Sequence, residues 1–321
     1  MKFTVVISTY NRLNLLKRAV ESAFNQTIPC EVVVVDDCSL DDTQEYVMQL
    51  REAKAKQGDN RLIYHRNEQN KGHAATVNVG VKLSSGDWIK FLDDDDYLAD
   101  NCLEEIAIAI SLHPQAVITS CIAAQVNENQ VQLSCTPKLG TCKLFYVPQP
   151  DIHYGMLLEL LPFGTPVQVA CRKDVFLKTG GWDSNLDANC DDIDSWIRIA
   201  QHGDAIFLNQ CLAYRTIWSG AYNQKFSVSH RLNTNILMKE KIYQFIDKQH
   251  HSKIPNFESI KNYLKLHWAL VAFKQKNIKS ILGILDFGVL SPVAWWLLLK
   301  ALLSRKASLY NTKIRKIILI D

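Results

Sequence analysis

Apolar positions in the first hundred residues follow two different spacings. Short apolar runs are typical of buried strands, and they occur at Phe3–Ile7, Glu31–Val35, Leu62–His65 and Trp88–Leu92. Between these runs, apolar residues recur every three or four positions, as on the buried face of a helix. Strands that are nearly all apolar and that alternate with helices predict a parallel α/β sheet covered on both faces.

Local signals place two helix boundaries in this region. Asp42 and Glu45 have the spacing of a capping box, so they predict the start of the second helix. The fourth helix is predicted from about Asn101 to His113, because Pro114 cannot continue it.

Polar clusters follow each of the four predicted strands. In open α/β sheets, ligands bind beyond the carboxyl ends of the strands. We therefore expect these clusters to converge on one cleft: Ser8–Asn11, Asp36–Ser39, Arg66–Gly72 and Asp93–Asp96.

The four consecutive aspartates Asp93–Asp96 are the strongest chemical signal in the chain. Carboxylates packed this closely repel one another, which favours a nearby cation. Carboxylate and phosphate oxygens are the ligands that Mg²⁺ or Mn²⁺ prefers. The alternative interpretation of this run alone is a solvated acidic turn that caps the next helix.

Length and composition allow one large core or two smaller ones, since the 321 residues are 47% hydrophobic. The first strand begins at Phe3, so we expect no amino-terminal signal segment. The nine cysteines include no Cys-x-x-Cys pair, which indicates buried thiols in a reducing cytosol.

The net charge of +3 conceals a strong asymmetry between two parts of the chain. Residues 1–221 contain 19 Lys/Arg and 28 Asp/Glu, whereas residues 222–321 contain 17 and 5. The balances are therefore −9 and +12. This split predicts a catalytic body with a basic appendage that contacts an anionic surface.

The basic appendage contains an apolar stretch, Ser280–Leu303, that is interrupted by Asp286 and Pro292. A spanning helix needs about 20 clean apolar residues. Trp295 and Trp296 suit the headgroup region, so we expect a segment that lies in the membrane interface. A packed helical hairpin with a solvated basic tail is the alternative.

The ordered motifs resemble those of family 2 glycosyltransferases with the GT-A fold. The resemblance covers about residues 1–220 and rests on these segments: Val6–Arg12, Val34–Ser39, Asn70–Gly72, Asn78–Gly80, Ser85–Asp96, Gly180–Asp183 and Asp191–Arg198. It implies a single Rossmann-like mixed sheet with a nucleotide-sugar half, about 1–100, and an acceptor half, 101–220. Residues 221–321 would form a mostly helical carboxy-terminal region.

The resemblance also implies a donor site. Ser8, Tyr10 and Asp37 would contact the nucleoside, with Asp37 accepting the N3–H of a pyrimidine. Asp94 would face the ribose. Asp36 is instead interpreted as a capping residue near Ser39.

Asp95 and Asp93 would hold the divalent cation, Mg²⁺ or Mn²⁺, at the diphosphate. Many family members carry a histidine after an aromatic–arginine pair like the one that ends in Arg215. Here Ile217 and Trp218 occupy that region, so no second metal-binding motif is evident and Arg215 would help to neutralise the diphosphate.

The acidic pair Asp191–Asp192 corresponds to the family's catalytic pair. Asp192 would be the general base that takes the proton of the acceptor hydroxyl, with Asp191 as its neighbour. Trp182 and Trp196 have two interpretations, sugar-stacking platforms or core residues.

The sequence therefore predicts an inverting hexosyl- or N-acetylhexosaminyl-transferase. Its donor would be a nucleotide-sugar, most simply a UDP-sugar, and its acceptor a hydroxyl of a glycan or lipid-linked glycan, as in surface polysaccharide assembly. We expect a cytoplasmic enzyme bound peripherally to an anionic membrane face, with no nucleic-acid partner. The alternatives are a sugar-1-phosphate nucleotidyltransferase, a receiver-like domain and a non-catalytic sugar-binding domain.

Overall fold

The computed structural model describes residues 1–138, 142–161, 163–186, 190–218, 226–284 and 287–309. It divides into two compact units. The first comprises residues 1–136, 142–149 and 163–219, and the second residues 137–141, 150–162 and 220–321. The segment 150–162, which the sequence placed in the acceptor half, thus belongs to the unit that contains the carboxy-terminal helices.

The first unit alternates strands and helices from its start. Its helices are α1 (Leu13–Phe24), α2 (Thr43–Lys56), α3 (His73–Leu83), α4 (Cys102–Leu112), α6 (Lys173–Lys178) and α7 (Asp191–Ile199). Its strands are β1 (Phe3–Thr9), β2 (Glu31–Asp36), β3 (Leu62–Arg66), β4 (Trp88–Asp93), β5 (Tyr97–Leu98), β6 (Ala116–Val126), β7 (Gln132–Cys135), β8 (Leu144–Val147), β9 (Val169–Arg172) and β10 (Asp204–Thr216).

One mixed sheet contains all of these strands. The main order is β3-β2-β1-β4-β9-β6-β10-β5, with β7 paired to β6 and β8 paired to β10. Strands β3, β2, β1 and β4 are parallel, whereas β9 runs antiparallel to both β4 and β6. The predicted mixed α/β sheet with a helical carboxy-terminal part is therefore confirmed.

The register of the parallel strands aligns their carboxyl ends. Ser8 is opposite Asp93, Thr9 is opposite Asp36, and Asp36 is opposite Arg66. All four polar clusters therefore begin at the same edge of the sheet, because parallel strands with this register end together.

The helix α2 begins at Thr43, as the capping-box signal predicts, but the predicted cap itself is wrong. The Asp42 side chain makes no capping hydrogen bond. Asp41 instead accepts from the Thr43 N–H at 3.2 Å and from the Leu13 N–H at 3.1 Å. The neighbouring carboxylate thus also ties the start of α2 to the start of α1.

Both tryptophans of the acceptor-side motif are core residues. Trp182 and Trp196 are 2% and 1% exposed, and both rings pack near Phe91 of β4, at centroid distances of 5.4 and 5.2 Å. Asn78 of α3 fixes the Trp182 backbone through two hydrogen bonds of 2.8 Å, one to its carbonyl and one from its N–H. Rings buried in this way cannot offer a face to a sugar.

The second unit is helical in the part that the structure describes. Its helices are α5 (Gln149–Leu157, which begins at the last residue of the first unit), α8 (Val228–Gln244), α9 (Phe257–Lys274), α10 (Ile278–Ile284) and α11 (Pro292–Leu309). Lys239 of α8 is buried, and its Nζ donates to the carbonyls of Met156 and Leu157 and pairs with Glu159 at 3.3 Å. His250 stacks on Tyr154 at 4.2 Å.

Helix α11 packs on α9 through one apolar face and exposes another. Ala294 and Leu298 of α11 are buried in a cluster with Leu266 of α9. Large apolar side chains remain exposed along the last three helices and the turn between α10 and α11: Leu270, Phe273, Ile278, Leu282, Leu290, Val293, Trp295, Trp296, Leu299 and Leu303. Among the residues that the structure describes, no helix combines the length and apolar character needed to cross a bilayer.

A close approach of α3 to β1 gives a stability prediction. A Cβ at Gly80 of α3 would lie 2.4 Å from Val6 Cγ1 in β1, so we expect Gly80→Ala to lower the free energy of unfolding by about 1–3 kcal/mol. The matched control is Gly58→Asn. Gly58 has φ +80° and open space around it, and asparagine tolerates this conformation, so the expected loss is below about 1 kcal/mol. Urea unfolding of both variants checks the difference, and equal losses would contradict the close packing.

Candidate active site

The acidic run begins at the end of β4 and turns sharply. Asp93 is the last residue of the strand, and the Asp96 N–H donates to the Asp93 carbonyl at 3.1 Å. The turn sends the four carboxylates toward different neighbours, which lie between the end of β1 and the start of α1, at the start of α3, and at or just beyond the end of β10.

Asp94 faces the end of β1. It is 3% exposed, and its carboxylate accepts from Thr9 Oγ1 at 2.8 Å and from Arg12 at 3.0 Å. Burial raises the pKa of Asp94 to about 6, although the Arg12 charge opposes this shift. Its predicted contact with a ribose stays a prediction.

Asp95 faces the end of β10. Its Oδ2 accepts from Trp218 Nε1 at 2.9 Å, and Arg12 lies 3.6 Å away. The guanidinium of Arg12 in turn lies over the Trp218 ring, 5.2 Å from its centroid. Burial and the charge of Asp93 raise the pKa of Asp95. Trp218 therefore contacts the acidic run through its indole N–H.

Asp96 is as buried as Asp94. It is 3% exposed and its Oδ1 accepts from the Thr216 N–H at 2.8 Å. Burial and the charges of Asp95 and Asp93 raise its pKa well above the ordinary value. Its hydrogen bond to the backbone joins the turn to β10.

Asp93 has the opposite electrostatic environment. Its Oδ1 lies 3.0 Å from His73 Nε2. Burial alone would raise the pKa of Asp93, but the charges of His73, Arg12 and Arg215 lower it overall. Arg215, predicted to neutralise the diphosphate, thus acts electrostatically on this end of the acidic run.

Asp93, Asp95 and Asp96 offer oxygens that lie within 4.8 Å of one another. The Asp93 and Asp95 side chains are 25% and 18% exposed, whereas Asp96 is buried and bonded to the backbone. Hard oxygen donors at this spacing fit a divalent cation. The residues present therefore fit a metal at Asp93 and Asp95.

Asp37 directly follows the end of β2 and forms hydrogen bonds with the loop that leads to α3. Its carboxylate accepts from Asn67 Nδ2 at 2.7 Å and from the backbone N–H groups of Lys71 and Gly72 at 2.8 and 2.9 Å. Asp36 is structural, since it accepts from Tyr64 and from the Ser39 N–H at 2.8 Å each.

The two other predicted nucleoside contacts differ in exposure. Ser8 is buried beside Asp93 in the sheet register, whereas Tyr10 is 43% exposed just beyond β1. Asn11 has φ 54° and accepts from the Leu40 N–H, which fixes the turn that presents Tyr10.

The acidic pair Asp191–Asp192 forms the first turn of α7. Asp191 Oδ2 lies 3.5 Å from His73 Nδ1, so His73 contacts Asp93 and Asp191 with its two ring nitrogens. Burial and the charge of Asp191 raise the pKa of Asp192 to about 7. A carboxylate with this pKa is suited to accept a proton near neutral pH.

Arg18 joins the acidic turn to the end of β10. Its guanidinium donates to the Asp95 carbonyl and to Thr216 Oγ1, each at 2.6 Å, and lies over the Tyr97 ring at 4.6 Å. The Tyr97 ring stacks on Tyr214.

Sequence reasoning gave no role to Arg12, Arg18 or His73. Arg12 lies within one of the family-like motifs, and His73 directly follows Asn-Lys-Gly at a polar strand end. These positions in the sequence were the signal that could have indicated a role in the site. Their partners lie far away along the chain, and local spacing does not reveal them.

The family model for Glycosyl transferase family 2 matches residues 4–180. An uncharacterized glycosyltransferase of Haemophilus influenzae is 26% identical over 287 residues, which are 86% of this chain and 87% of that protein. The GalNAc(5)-diNAcBac-PP-undecaprenol beta-1,3-glucosyltransferase of Campylobacter jejuni is 36% identical over 107 residues, 33% of each chain. The match to this second relative thus spans a third of its length.

Solved structures show the same fold. Staphylococcus aureus TarS 1–349 in complex with UDP-GlcNAc has a TM-score of 0.62 at 20% identity, covering 88% of this chain and 90% of that one. The mannosyltransferase PcManGT from Pyrobaculum calidifontis, in complex with GDP-Man and Mn²⁺, has a TM-score of 0.59 at 19% identity, covering 94% and 80%. With the family model spanning more than half of its length, this chain belongs to glycosyl transferase family 2 and is a glycosyltransferase.

Proposed function

We propose that this enzyme transfers one sugar from a UDP-sugar to a hydroxyl of a glycan or lipid-linked glycan, with inversion at the anomeric carbon. One observation carries the proposal. The strand-end acids and the acidic pair of α7 meet at His73, with Asp93 at 3.0 Å and Asp191 at 3.5 Å from its two nitrogens. A diphosphate site and a base for an incoming hydroxyl are thus neighbours, as a single displacement requires.

Asp37 supports a pyrimidine nucleotide. A carboxylate has about four acceptor positions, and Asp37 uses three of them on Asn67, Lys71 and Gly72. The remaining position can accept the N3–H of uracil, with Ser8 and Tyr10 as neighbouring nucleoside contacts. The TarS complex contains UDP-GlcNAc, which agrees with this choice, whereas the PcManGT complex contains GDP-Man. The proposal of a UDP-sugar therefore rests on the Asp37 contact.

The diphosphate would lie at Asp93 and Asp95, with Asp94 directed toward the ribose. A divalent cation at these two carboxylates, Mg²⁺ or Mn²⁺, would stabilise the charge on the departing diphosphate. Arg12 and Arg215 would add positive charge at the diphosphate, since, after His73, their charges lower the pKa of Asp93.

Asp192 is the proposed base. It takes the acceptor's hydroxyl proton as that oxygen bonds to the anomeric carbon, while the bond from that carbon to the diphosphate oxygen breaks. One displacement from the face opposite the leaving group inverts the configuration. Asp191 supports this role, because its charge helps to raise the pKa of Asp192 to about 7.

A lipid-linked acceptor would place the enzyme on the cytoplasmic membrane face. The support is the excess of basic residues in 222–321 together with exposed tryptophans on α11. Lys300 Nζ lies 4.8 Å from the centroid of the Trp296 ring, so a cation and an aromatic side chain share one surface. Aromatic rings at the headgroup level and basic side chains on anionic lipid act together in such binding.

The base assignment predicts a rate loss and a pH dependence. Asp192→Asn keeps the shape but not the basicity, so kcat should fall by roughly 10²–10⁴ with little change in donor KM. The wild-type rate should fall as pH drops through about 7, because protonation of Asp192 removes the base, and the variant should lack this limb. Steady-state kinetics across pH check both, with Asp174→Asn on an exposed ion pair as the control. A rate within a few-fold of wild type would place the base elsewhere, with Asp191 next.

The metal assignment predicts that Asp95→Asn abolishes turnover without unfolding the protein, because an asparagine Oδ1 still accepts from Trp218. Asp96→Asn is the matched control, since Asp96 is buried and an asparagine Oδ1 still accepts from the Thr216 N–H. Initial rates against Mn²⁺ concentration, with circular dichroism of each variant, provide the measurement. Wild-type activity that persists after exhaustive chelation of divalent cations would contradict this assignment.

The membrane assignment predicts that Trp295→Ala/Trp296→Ala weakens sedimentation with anionic vesicles and that high salt weakens it further. Leu112→Ala/Leu177→Ala removes comparable exposed apolar side chains from α4 and α6 and should change nothing. The experiment uses the full chain, because Lys239 donates hydrogen bonds to the carbonyls of residues 156 and 157. Removal of the carboxy-terminal region would break these hydrogen bonds. Equal sedimentation of both double variants and wild type would leave α11 without a membrane role.

A further inference from the structure

We propose that His73 is a positioning residue that holds Asp191, and through it the Asp192 base, at the donor-side acid Asp93. The proposal rests on the proposed function and adds a residue to it. It concerns the two contacts of one imidazole ring, whose nitrogens lie 3.0 Å from Asp93 Oδ1 and 3.5 Å from Asp191 Oδ2.

The backbone beneath His73 is fixed. Gly72 adopts φ +85°, which glycine reaches without strain, and it immediately precedes the first residue of α3. The N–H groups of Lys71 and Gly72 donate to Asp37, and the Gly72 carbonyl accepts from the Thr76 N–H. The start of α3 is therefore held by a buried carboxylate as well as by its own helix.

The ring is also fixed from the side. Trp182 meets the imidazole edge to face, with the ring centroids 5.2 Å apart. Asn78 in turn holds the Trp182 backbone. The imidazole thus lies between two carboxylates and an aromatic wall that is itself part of the core.

Asp191 depends on this contact. Its Oδ2 is buried and receives no hydrogen bond from the described residues, and His73 Nδ1 forms an ion-pair contact with it at 3.5 Å. Asp191 is the first residue of α7 and Asp192 the second. A shift of the Asp191 carboxylate would therefore move the first turn of α7 and the base with it.

Two variants separate the two contacts. His73→Gln places an amide nitrogen near the position of Nε2 and keeps a donor for Asp93, whereas His73→Asn places one near Nδ1 and keeps a donor for Asp191. We expect His73→Gln to lower kcat by roughly 10–100-fold with donor KM changed less than about threefold, because the base is misplaced. His73→Asn should retain most of kcat and raise the Mn²⁺ concentration for half-maximal rate.

A double-mutant cycle supplies the decisive readout. His73→Gln and Asp191→Asn remove the same contact, so the double variant should be no slower than the worse single variant, whereas independent roles would multiply the losses. Multiplied losses, or the same kcat and Mn²⁺ response in His73→Gln and His73→Asn, would overturn the proposal. Asp192→Asn is assayed in parallel. If Asp192→Asn is fully active, the proposed base is wrong. If Asp192→Asn is inactive while His73→Gln and His73→Asn have the same kcat and Mn²⁺ response, only the proposed role of His73 is wrong.

Discussion

Electrostatic repulsion within Asp93–Asp96 is the constraint on which the site depends. At an effective dielectric of about 20, two charges 4.8 Å apart repel by about 3 kcal/mol, so four adjacent carboxylates cannot all stay ionised without compensation. Residues around the acidic run compensate this repulsion with positive charge and with hydrogen bonds. His73 and Arg12 supply positive charge, while the Trp218 indole and the Thr216 N–H donate hydrogen bonds. Burial raises the pKa of Asp96, whereas the charges of His73, Arg12 and Arg215 lower the pKa of Asp93, so Asp93 is the most acidic of the four.

This compensation also joins elements that are distant in the sequence. Arg12 and Arg18 lie before and within α1, His73 begins α3, and Thr216 ends β10. Each donates to or pairs with the acidic turn, so the charge requirement of one turn fixes three neighbouring elements around it. The side chains of Asp93 and Asp95 stay partly exposed despite these contacts. The turn is therefore stabilised while the two carboxylates proposed to bind the metal remain accessible.

The sequence predicted the part of the fold whose signal is local. Apolar-rich runs such as Phe3–Ile7 mark β1, β2 and β4, because nearly all residues of those strands are buried, whereas β3 is mostly half-buried. Strand β7 has no such signal, since all of Gln132–Cys135 is exposed and pairs only through tertiary contacts with β6. In the site, adjacent acids such as Asp191–Asp192 were visible. The role of His73 was not predicted, because it depends on contacts with β4 and α7 that exist only in the folded protein. The roles of the site residues stay predictions.

Asp37 has a consequence for the thermodynamics of ligand binding. Immobilising a flexible side chain on association costs about 0.5–1.5 kcal/mol of conformational entropy. Three N–H donors already hold this carboxylate in the free protein, so a ligand that uses its remaining lone pair would not bear that loss. The entropy was lost during folding, when the loop at Lys71 and Gly72 closed on the acid. Exchange of this one side chain for an amide would therefore change the order of the loop before it changed any contact with a ligand.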